Sequence, residues 1–155
     1  MKTPKASTPT SPTDTLKLVA LDQDDLAVVS AHLQDAVVKI ADFAWLPREK
    51  RFALVCNRFD WEGAASGLRR RRRTGLHFDR VLRVRQTKIR TGAEDAVLNL
   101  LAVTFEASDE PSGAVTLVFS GGAAIRLEVE CLECQMSDLG PVWETTSAPA
   151  HETDS

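Results

Sequence analysis

The sequence has few cysteines and no long apolar run. No stretch approaches the roughly 18 consecutive apolar residues that a membrane-crossing helix requires, which excludes an integral membrane protein built of such helices. The start of the chain also lacks the apolar segment of about 7–15 residues that a secretory signal needs. Three cysteines in 155 residues exclude a disulfide scaffold and favour a reducing compartment. We therefore expect a cytoplasmic protein that does not associate with a membrane.

The common catalytic and metal-binding motifs are absent as well. There is no G-x-S-x-G, no H-E-x-x-H and no P-loop. Cys131 and Cys134 form a C-x-x-C pair, but a zinc site needs four ligands. The remaining thiol and the histidines stand apart from one another: Cys56, His32, His77 and His151. Cys131 continues an alternating strand pattern, which predicts an inward, apolar role. We expect no enzyme activity, no metal and no cofactor.

The composition predicts one globular domain with a polar tail at each end. With 43% hydrophobic and 26% charged residues, the chain can bury a single core. Residues 1–15 contain Pro4, Pro9 and Pro12 among Thr and Ser and have no apolar periodicity, which predicts disorder. Residues 144–155 are polar and acidic and carry the same prediction. The ordered domain is expected at residues 16–143.

One amphipathic helix is predicted near the start of this domain. Asp22 is a good N-cap, and Asp25 follows three positions later, as in a capping box. Leu26, Val29, Leu33 and Val37 then form a stripe on one face of a helix that ends near residues 35–37. The helix should pack on the sheet that the rest of the chain forms.

The remaining segments have strand character. About seven strands are expected, at residues 16–21, 38–46, 51–61, 75–86, 96–106, 115–119 and 125–131. Both faces of the 51–61 segment are apolar, which predicts a central strand covered on both sides. Residues 62–74 are predicted as a polar loop. With no βαβ alternation, the expected fold is α+β, a mostly antiparallel sheet that is strongly curved or partly closed into a barrel.

The most unusual feature is a concentration of positive charge. Five consecutive arginines, which we call the arginine run, are Arg69, Arg70, Arg71, Arg72 and Arg73. Residues 69–90 contain ten basic side chains and one acidic one, whereas the whole chain has a net charge of −3. A local field of this kind attracts an anionic partner even when the whole molecule is mildly acidic.

Three interpretations of this charge remain open. The arginine run, with Arg83, Arg85 and His77 on one strand face beside it, is an acceptable footprint for nucleic acid or another polyanion. The same residues fit an acidic protein surface. In the third interpretation the arginines are solvated, or they pair with Glu128 and Glu130 of the same chain. Phe59 and Trp61 offer stacking surfaces only if they are not part of the core.

The resulting hypothesis is a non-catalytic binding or adaptor module whose arginine-rich loop contacts an anionic partner. Two alternatives of other classes are kept. One is a protein-interaction or homo-oligomeric module that does not bind anions. The other is a small-ligand-binding barrel, which would need a cavity among its inward residues.

Several segments resemble a small alphaproteobacterial family labelled domain of unknown function 2948. The resemblance rests on LKLVALDQDDLAVVSAHLQDAVVKI, LPREKRFALVCNRFDWE, RRRTGLHFDRV, VLNLLAVTFE, GGAAIRLEVECLE and DLGPVW. It implies a soluble bacterial cytoplasmic protein. It implies no activity, cofactor or catalytic residue, because none is established for the family.

Overall fold

The computed structural model describes residues 15–67, 69–90, 92 and 95–144. The tails predicted at residues 1–15 and 144–155 therefore lie outside the described residues, except for Thr15 and Glu144. The strands are β1 Lys17–Ala20, β2 Ala36–Leu46, β3 Arg51–Phe59, β4 Arg70–Phe78, β5 Val81–Thr87, β6 Val97–Ala107, β7 Gly113–Phe119, β8 Ala124–Val129 and β9 Cys134–Glu144. The helices of the described residues are α1 Gln23–Leu33 and α2 Trp61–Ala65.

The strands form one antiparallel sheet with two open edges. Its order is β1-β9-β4-β3-β2-β6-β7-β8-β5. The sheet curves strongly, because the Val81 N–H at the start of β5 donates to Lys50 O beside β3, 2.9 Å away, although four strands lie between β3 and β5 in the order. The α+β, mostly antiparallel prediction is confirmed. The sheet has nine strands instead of about seven, and it is not closed into a barrel.

Helix α1 begins where the sequence predicts and packs on the sheet. The Asp22 side chain accepts a hydrogen bond from the Asp25 N–H at 2.8 Å and caps the helix. Leu26, Val29 and Leu33 are buried in the core, so the predicted stripe is confirmed as far as Leu33, whereas Val37 lies on β2 and is not part of the helix. Ser30 Oγ accepts from the Val103 N–H at 2.9 Å, which fixes α1 over β6. The helix ends earlier than predicted, at Leu33.

The core lies between α1 and the inward face of the curved sheet. Alternate residues of β3, β4, β7 and β8 point into it, as the period of two in a strand requires. Phe43 joins two parts of this core, because its ring lies 6.1 Å from that of Phe52 and 5.6 Å from that of Phe119. Burying each large apolar side chain contributes about 1.5–3 kcal/mol to stability. The largest fully buried apolar side chains are Phe52, Phe59, Phe78, Phe119, Leu26, Leu33, Leu76, Leu100, Leu117 and Ile125.

Two predicted segments around the arginine run are wrong. Residues 62–74 are not a loop, since α2 and then β4, from Arg70 onward, form there. Residues 75–86 are not a single strand, because the strand is interrupted at Asp79 and Arg80, where Arg80 adopts a left-handed φ of 63° and the chain passes from pairing with β3 and β9 to pairing with β8. The sequence has no glycine or proline at that turn that would predict it. The β9 strand at residues 134–144 was not predicted at all.

The prediction for β3 is correct in position but only half correct in burial. β3 lies between β4 and β2 and is therefore central. Its inward residues Phe52, Leu54 and Cys56 are buried, but Ala53 and Val55 on the other face are only half-buried. Phe59, at the end of that same face, is fully buried, so the outward face is covered at this end and only partly covered elsewhere.

Candidate anion-binding surface

The arginine run alternates between the inside and the outside of the protein. Because β4 begins at Arg70, its even-numbered residues share the inward face with Thr74, Leu76 and Phe78. Arg70 and Arg72 are consequently buried, whereas Arg69 and Arg73 are exposed. Two of the five arginines of the predicted anion-binding loop are therefore part of the interior. This corrects the interpretation of the run as one exposed, arginine-rich loop.

Asp138 and Arg58 form the centre of a buried charge cluster. Arg58 donates from Nε to Asp138 Oδ1 and from Nη2 to Oδ2, both at 2.9 Å. The two side chains are 1% and 0% exposed. Asp138 also accepts from the Thr74 hydroxyl and from the Leu16 N–H, each at 2.8 Å. This carboxylate is fully hydrogen-bonded, which is the condition under which a charge can be buried.

Asp60 supplies the second carboxylate of the cluster. Its Oδ2 accepts from Arg70 Nη2 at 2.7 Å and lies 3.5 Å from Arg72 Nε. Its Oδ1 accepts from the Gly63 N–H at 3.0 Å and so caps α2. Arg72 Nε is also 3.9 Å from Asp138 Oδ2. Arg70 and Arg72 therefore bind carboxylates of their own chain and are not available to a partner. We call Arg58, Asp60, Arg70, Arg72, Thr74 and Asp138 the buried charge cluster.

The cluster keeps both carboxylates ionised. Burial raises the pKa of Asp138, but the hydrogen bonds and charge of Arg58, with those from Leu16 and Thr74, outweigh it and leave the pKa below its ordinary value. Burial likewise raises the pKa of Asp60, and the bonds from Gly63 and Arg70 more than compensate, so that this pKa is also lowered. The arginines of the cluster thus have permanent internal counterions.

Arg71 and the neighbouring aromatic residues are also engaged within the protein. The Arg71 guanidinium donates to Asn57 O at 3.0 Å and lies over the Phe59 ring, 5.8 Å from its centroid. Phe59 is fully buried, and the Trp61 ring packs edge-on against it at 4.7 Å. The Trp61 indole N–H donates to Gln34 O at 3.2 Å. Phe59 is therefore part of the packed interior and is not available to stack on a base, whereas Trp61 is half-buried with its indole N–H engaged within the protein.

His77 lies at the other end of β4, within a network of paired charges. Its Nε2 is 3.5 Å from Asp79 Oδ2, and Arg51 Nε donates to Asp79 Oδ1 at 2.7 Å. Burial lowers the pKa of His77, and the positive charge of Arg51 lowers it further. A neutral imidazole does not attract a phosphate. Two nearby basic residues also have acidic partners. Lys50 forms an ion pair with Glu130 at 2.9 Å, and Arg80 forms one with Glu133 at 3.3 Å.

The arginines of β5 and β8 differ from most of those of β4 because they are exposed and, among the described residues, largely without acidic partners. Arg83 and Arg85 are exposed on β5, and Arg126 is exposed on the neighbouring β8. In the strand register Arg85 lies directly opposite Arg126, and Arg83 lies opposite Glu128. Arg85 makes one loose contact, 3.7 Å from Nε to Glu128 Oε2. Within the described residues, Arg83 and Arg126 have no ion pair. We call Arg83, Arg85 and Arg126 the basic ladder.

Two arginines directly opposite each other are an unusual arrangement on a sheet surface. Opposed side chains of an antiparallel pair have Cβ atoms about 4.5–5.5 Å apart, and like charges at that separation destabilise the pair. An anion between the two guanidinium groups would reverse the sign of the interaction, because each planar group can donate two hydrogen bonds to an oxyanion. The basic ladder is therefore the candidate anion site among the described residues.

The structure does not bring the predicted site residues together. Parity along one strand placed His77 with Arg83 and Arg85, but the turn at Asp79 and Arg80 puts them on different strands. The arginine run lies at the end of β4 remote from that turn, about 20 Å along the strand. Leu82 on β5 is 53% exposed because a bulge follows Val81. The single patch of the sequence-based prediction is therefore wrong.

Of the cysteines, Cys131 lies in another position than the sequence indicated. β8 ends at Val129, so Cys131 lies beyond it and is half-buried instead of continuing the strand inward. Cys134 is buried at the start of β9, and burial raises its pKa to about 12. Burial raises the pKa of Cys56 to about 12 as well. These two thiols remain protonated at neutral pH, whereas metal binding and redox exchange use the thiolate.

Comparison with protein families identifies the family of this chain. Residues 16–151 match the family model described as protein of unknown function (DUF2948). The chain belongs to the DUF2948 family. The match spans both the buried charge cluster and the basic ladder. Comparisons with curated proteins and with solved structures find no match.

Sequence reasoning missed four residues that organise the charges of this DUF2948 protein. Arg58 and Asp138 were not singled out, nor was Asp60, although Arg58 follows Phe52, Leu54 and Cys56 at every second position and so shares their inward face. Arg126 was assigned to a solvated outer face and not to a site. Its pairing with Arg85 depends on which strands are neighbours, and the sequence does not state this. In the described part of this DUF2948 chain, no helix is long and apolar enough to cross a membrane.

Proposed function

We propose that this protein is a non-catalytic binding module that holds an anionic partner on the basic ladder. The observation that carries the proposal is the position of Arg85 directly opposite Arg126 on an exposed pair of strands. Two like charges held side by side in the free protein make anion binding favourable, since the anion removes their repulsion. The hypothesis of an anionic partner is kept, and its site moves from the arginine run to β5 and β8.

The other basic groups support this assignment by contrast. Arg70 and Arg72 have buried carboxylate partners, Arg71 covers Phe59, and His77 lies beside Asp79. Removing Arg70 or Arg72 from its buried carboxylate would cost about 3–5 kcal/mol before a new contact formed. The arginines of the basic ladder are already solvated at the surface, so binding a partner does not require them to leave a buried contact.

The alternative of a ligand-binding barrel loses its basis because the sheet is not closed. The alternative of a protein-interaction module without anion binding has one observation in its favour. An apolar groove of about 360 Å³ runs beside α1, lined by Ala27, Val28, Ala31, His32 and Trp61. A complex formed there would survive high salt, and gel filtration in about 1 M salt would detect it, because salt screens charges but not apolar contacts.

Fluorescence anisotropy tests the leading proposal. Labelled single-stranded RNA and labelled polyglutamate are titrated with the full chain at about 50 and about 200 mM salt. The double variant Arg83→Ser/Arg85→Ser is compared with Arg69→Ser/Arg73→Ser, which removes the same charge from exposed arginines elsewhere. We expect at least one probe to bind in a salt-dependent way. The slope of log Kd against log salt should fall by about 2 in the ladder variant only, about 1 for each arginine lost.

Two results would count against the proposal. Absence of binding to either probe at low salt would show that the ladder is a solvated surface. An equal loss in both double variants would show that only the net charge matters and that no site exists on β5 and β8.

A further inference from the structure

The edge of the sheet beside the basic ladder is open. β5 is the last strand in the sheet order, and among the described residues it pairs only with β8. In an antiparallel pair, alternate residues turn their backbone N–H and C=O groups away from the neighbouring strand. On β5 the only bond outside the β5–β8 ladder, among the described residues, is from the Val81 N–H to Lys50 O. The backbone groups of residues 83–87 that point away from β8 are therefore available.

We propose that the partner is an acidic polypeptide segment that adds to β5 as a further antiparallel or parallel strand. This inference rests on the proposed function, because it names the partner of the same site. An added strand would receive main-chain hydrogen bonds from the open edge, which is how extended peptides bind to sheet edges. Its side chains would alternate between the two faces of the sheet, and every second one would lie beside Arg83 and Arg85.

The spacing of the charges fits this mode of binding. Arg83 and Arg85 are two residues apart on the exposed face of β5, which separates them by about 6–7 Å along the strand. A segment with a carboxylate at every second position repeats at the same distance. Residues 83–87 span about 16 Å, enough for five to six residues of a partner. The charge pattern and the backbone pattern thus have the same period of two.

The edge is selective against a second copy of this chain. If two β5 strands paired antiparallel about a twofold axis at Val84, Arg83 of one copy would lie opposite Arg85 of the other. Like charges in opposed positions destabilise such a pair, which is how natural proteins prevent edge-to-edge association. The same arginines attract an acidic segment, so one feature both rejects self-pairing and selects the partner.

The surface favours a polypeptide over a nucleic acid. Single-stranded nucleic acids bind through bases stacked on exposed aromatic rings. All the exposed large apolar side chains of the described residues are aliphatic, including Leu82 on β5. A nucleic acid would also leave the open backbone groups of β5 without partners from the ligand. A strand satisfies both the charges and the backbone.

Backbone-modified peptides test the inference. The probe is a labelled peptide of about eight residues with Glu and Val alternating, enough to cover the open edge. Two further peptides carry backbone N-methyl groups, one at every Glu and one at every Val. Charge is identical in all three, but only one of the two N-methylated sets removes the N–H groups that face β5. We expect one N-methylated peptide to bind at least about tenfold more weakly and the other to bind within about threefold of the parent.

Amide hydrogen exchange of the full chain gives a second measurement. Binding of the parent peptide should slow exchange at residues 83–87, while β1, the opposite edge of the sheet, keeps its exchange rate.

The outcomes separate this inference from the proposed function. If both N-methylated peptides bind like the parent and Arg83→Ser/Arg85→Ser still weakens all three, the ladder binds anions but strand addition is wrong. If single-stranded RNA binds more tightly than the parent peptide, the partner is a nucleic acid and the inference is overturned. If neither peptide nor RNA binds at low salt, the proposed function fails together with it.

Discussion

Arg58 and Asp138 meet inside the protein as a bidentate ion pair, with both N–O distances at 2.9 Å and almost no solvent exposure. They come from β3 and β9, which are not neighbours in the sheet because β4 lies between them. The pair therefore crosses β4 on the inward face, where Arg70 and Arg72 lie. Two members of the arginine run, Arg70 and Arg72, are thus held in the interior by the carboxylates of Asp60 and Asp138.

The buried pair makes the first prediction. Asp138→Asn keeps the size of the side chain but leaves Arg58 without its ionised partner, and breaking a buried pair in this way costs about 3–5 kcal/mol. We expect the free energy of unfolding, measured by urea denaturation, to fall by that amount. Glu128→Gln is the matched control, since its partner Arg85 is exposed and such pairs contribute about 0–1 kcal/mol. Equal losses in the two variants would contradict the account.

The same cluster predicts loss of stability in acid. The pKa of Asp60 is lowered in the folded protein from an ordinary value of 3.8, because the bonds from Gly63 and Arg70 outweigh the effect of burial. A depressed pKa means that the unfolded chain binds the proton more readily. The contribution of Asp60 is therefore complete above about pH 5 and is lost as the pH falls below about 4.

Thermal unfolding between about pH 6 and about pH 3 measures this effect. We expect Asp60→Asn to show a shallower fall of Tm than the wild type in the acidic part of the range. Parallel curves for the two proteins would show that Asp60 is not part of a stabilising pair.

His32 predicts a second pH effect with a different window. Burial lowers the pKa of His32 from 6.5, and the charge of Arg58 lowers it further, against the opposing charges of Glu62, Asp138 and Asp60. Its Nδ1 is buried without a hydrogen-bond partner among the described residues. Because the unfolded chain protonates first, stability should decline as the pH falls below about 6.5. In His32→Gln the decline between about pH 6.5 and pH 5 should disappear, and an unchanged Tm profile would refute this.

Gly113 predicts a packing effect at the start of β7. A Cβ at this position would lie 2.5 Å from Glu106 O and 2.7 Å from the Phe105 ring. Backbone cannot yield as a flexible side chain does, so Gly113→Ala should lower the free energy of unfolding by about 1–3 kcal/mol. Gly140→Ala is the control, because no heavy atom of the described residues lies within 4 Å of its Cβ position. A wild-type urea midpoint for Gly113→Ala would be the contrary result.

Local signals in the sequence were sufficient for the start of the fold. Asp22, Asp25, Leu26, Val29 and Leu33 predict α1 because capping and the apolar stripe act within a few residues of each other. Strands with regular alternation, such as β7 and β8, are recognised for the same reason. What these signals cannot supply is the identity of neighbouring strands.

The missed elements lack local signals. The turn at Asp79 and Arg80 contains no glycine, although Arg80 adopts a left-handed conformation. β9 contains Pro141, which normally argues against an interior strand. The strand accommodates it where its pairing with β4 shifts register between Arg72 and Thr74, and where β1 no longer pairs with β9 beyond Ser137.

The candidate site failed for a related reason. A run of arginines reads as exposed because isolated charges are costly to bury. Arg70 and Arg72 are buried because Asp60 and Asp138 neutralise them, and Asp138 is more than sixty residues away in the sequence. The basic ladder could be predicted only in part, since Arg83 and Arg85 were named from the sequence. Arg126 joined them only through the register of β5 and β8.

The most direct measurement is an NMR titration of the arginine side chains of the full chain. The Nε–Hε resonances report each guanidinium separately, and the titrants are hexaglutamate and a short single-stranded oligonucleotide. The account predicts that at least one titrant shifts the signals of Arg83, Arg85 and Arg126, while those of Arg58, Arg70 and Arg72 do not move. Shifts confined to the arginine run, or no shift with either anion, would contradict it.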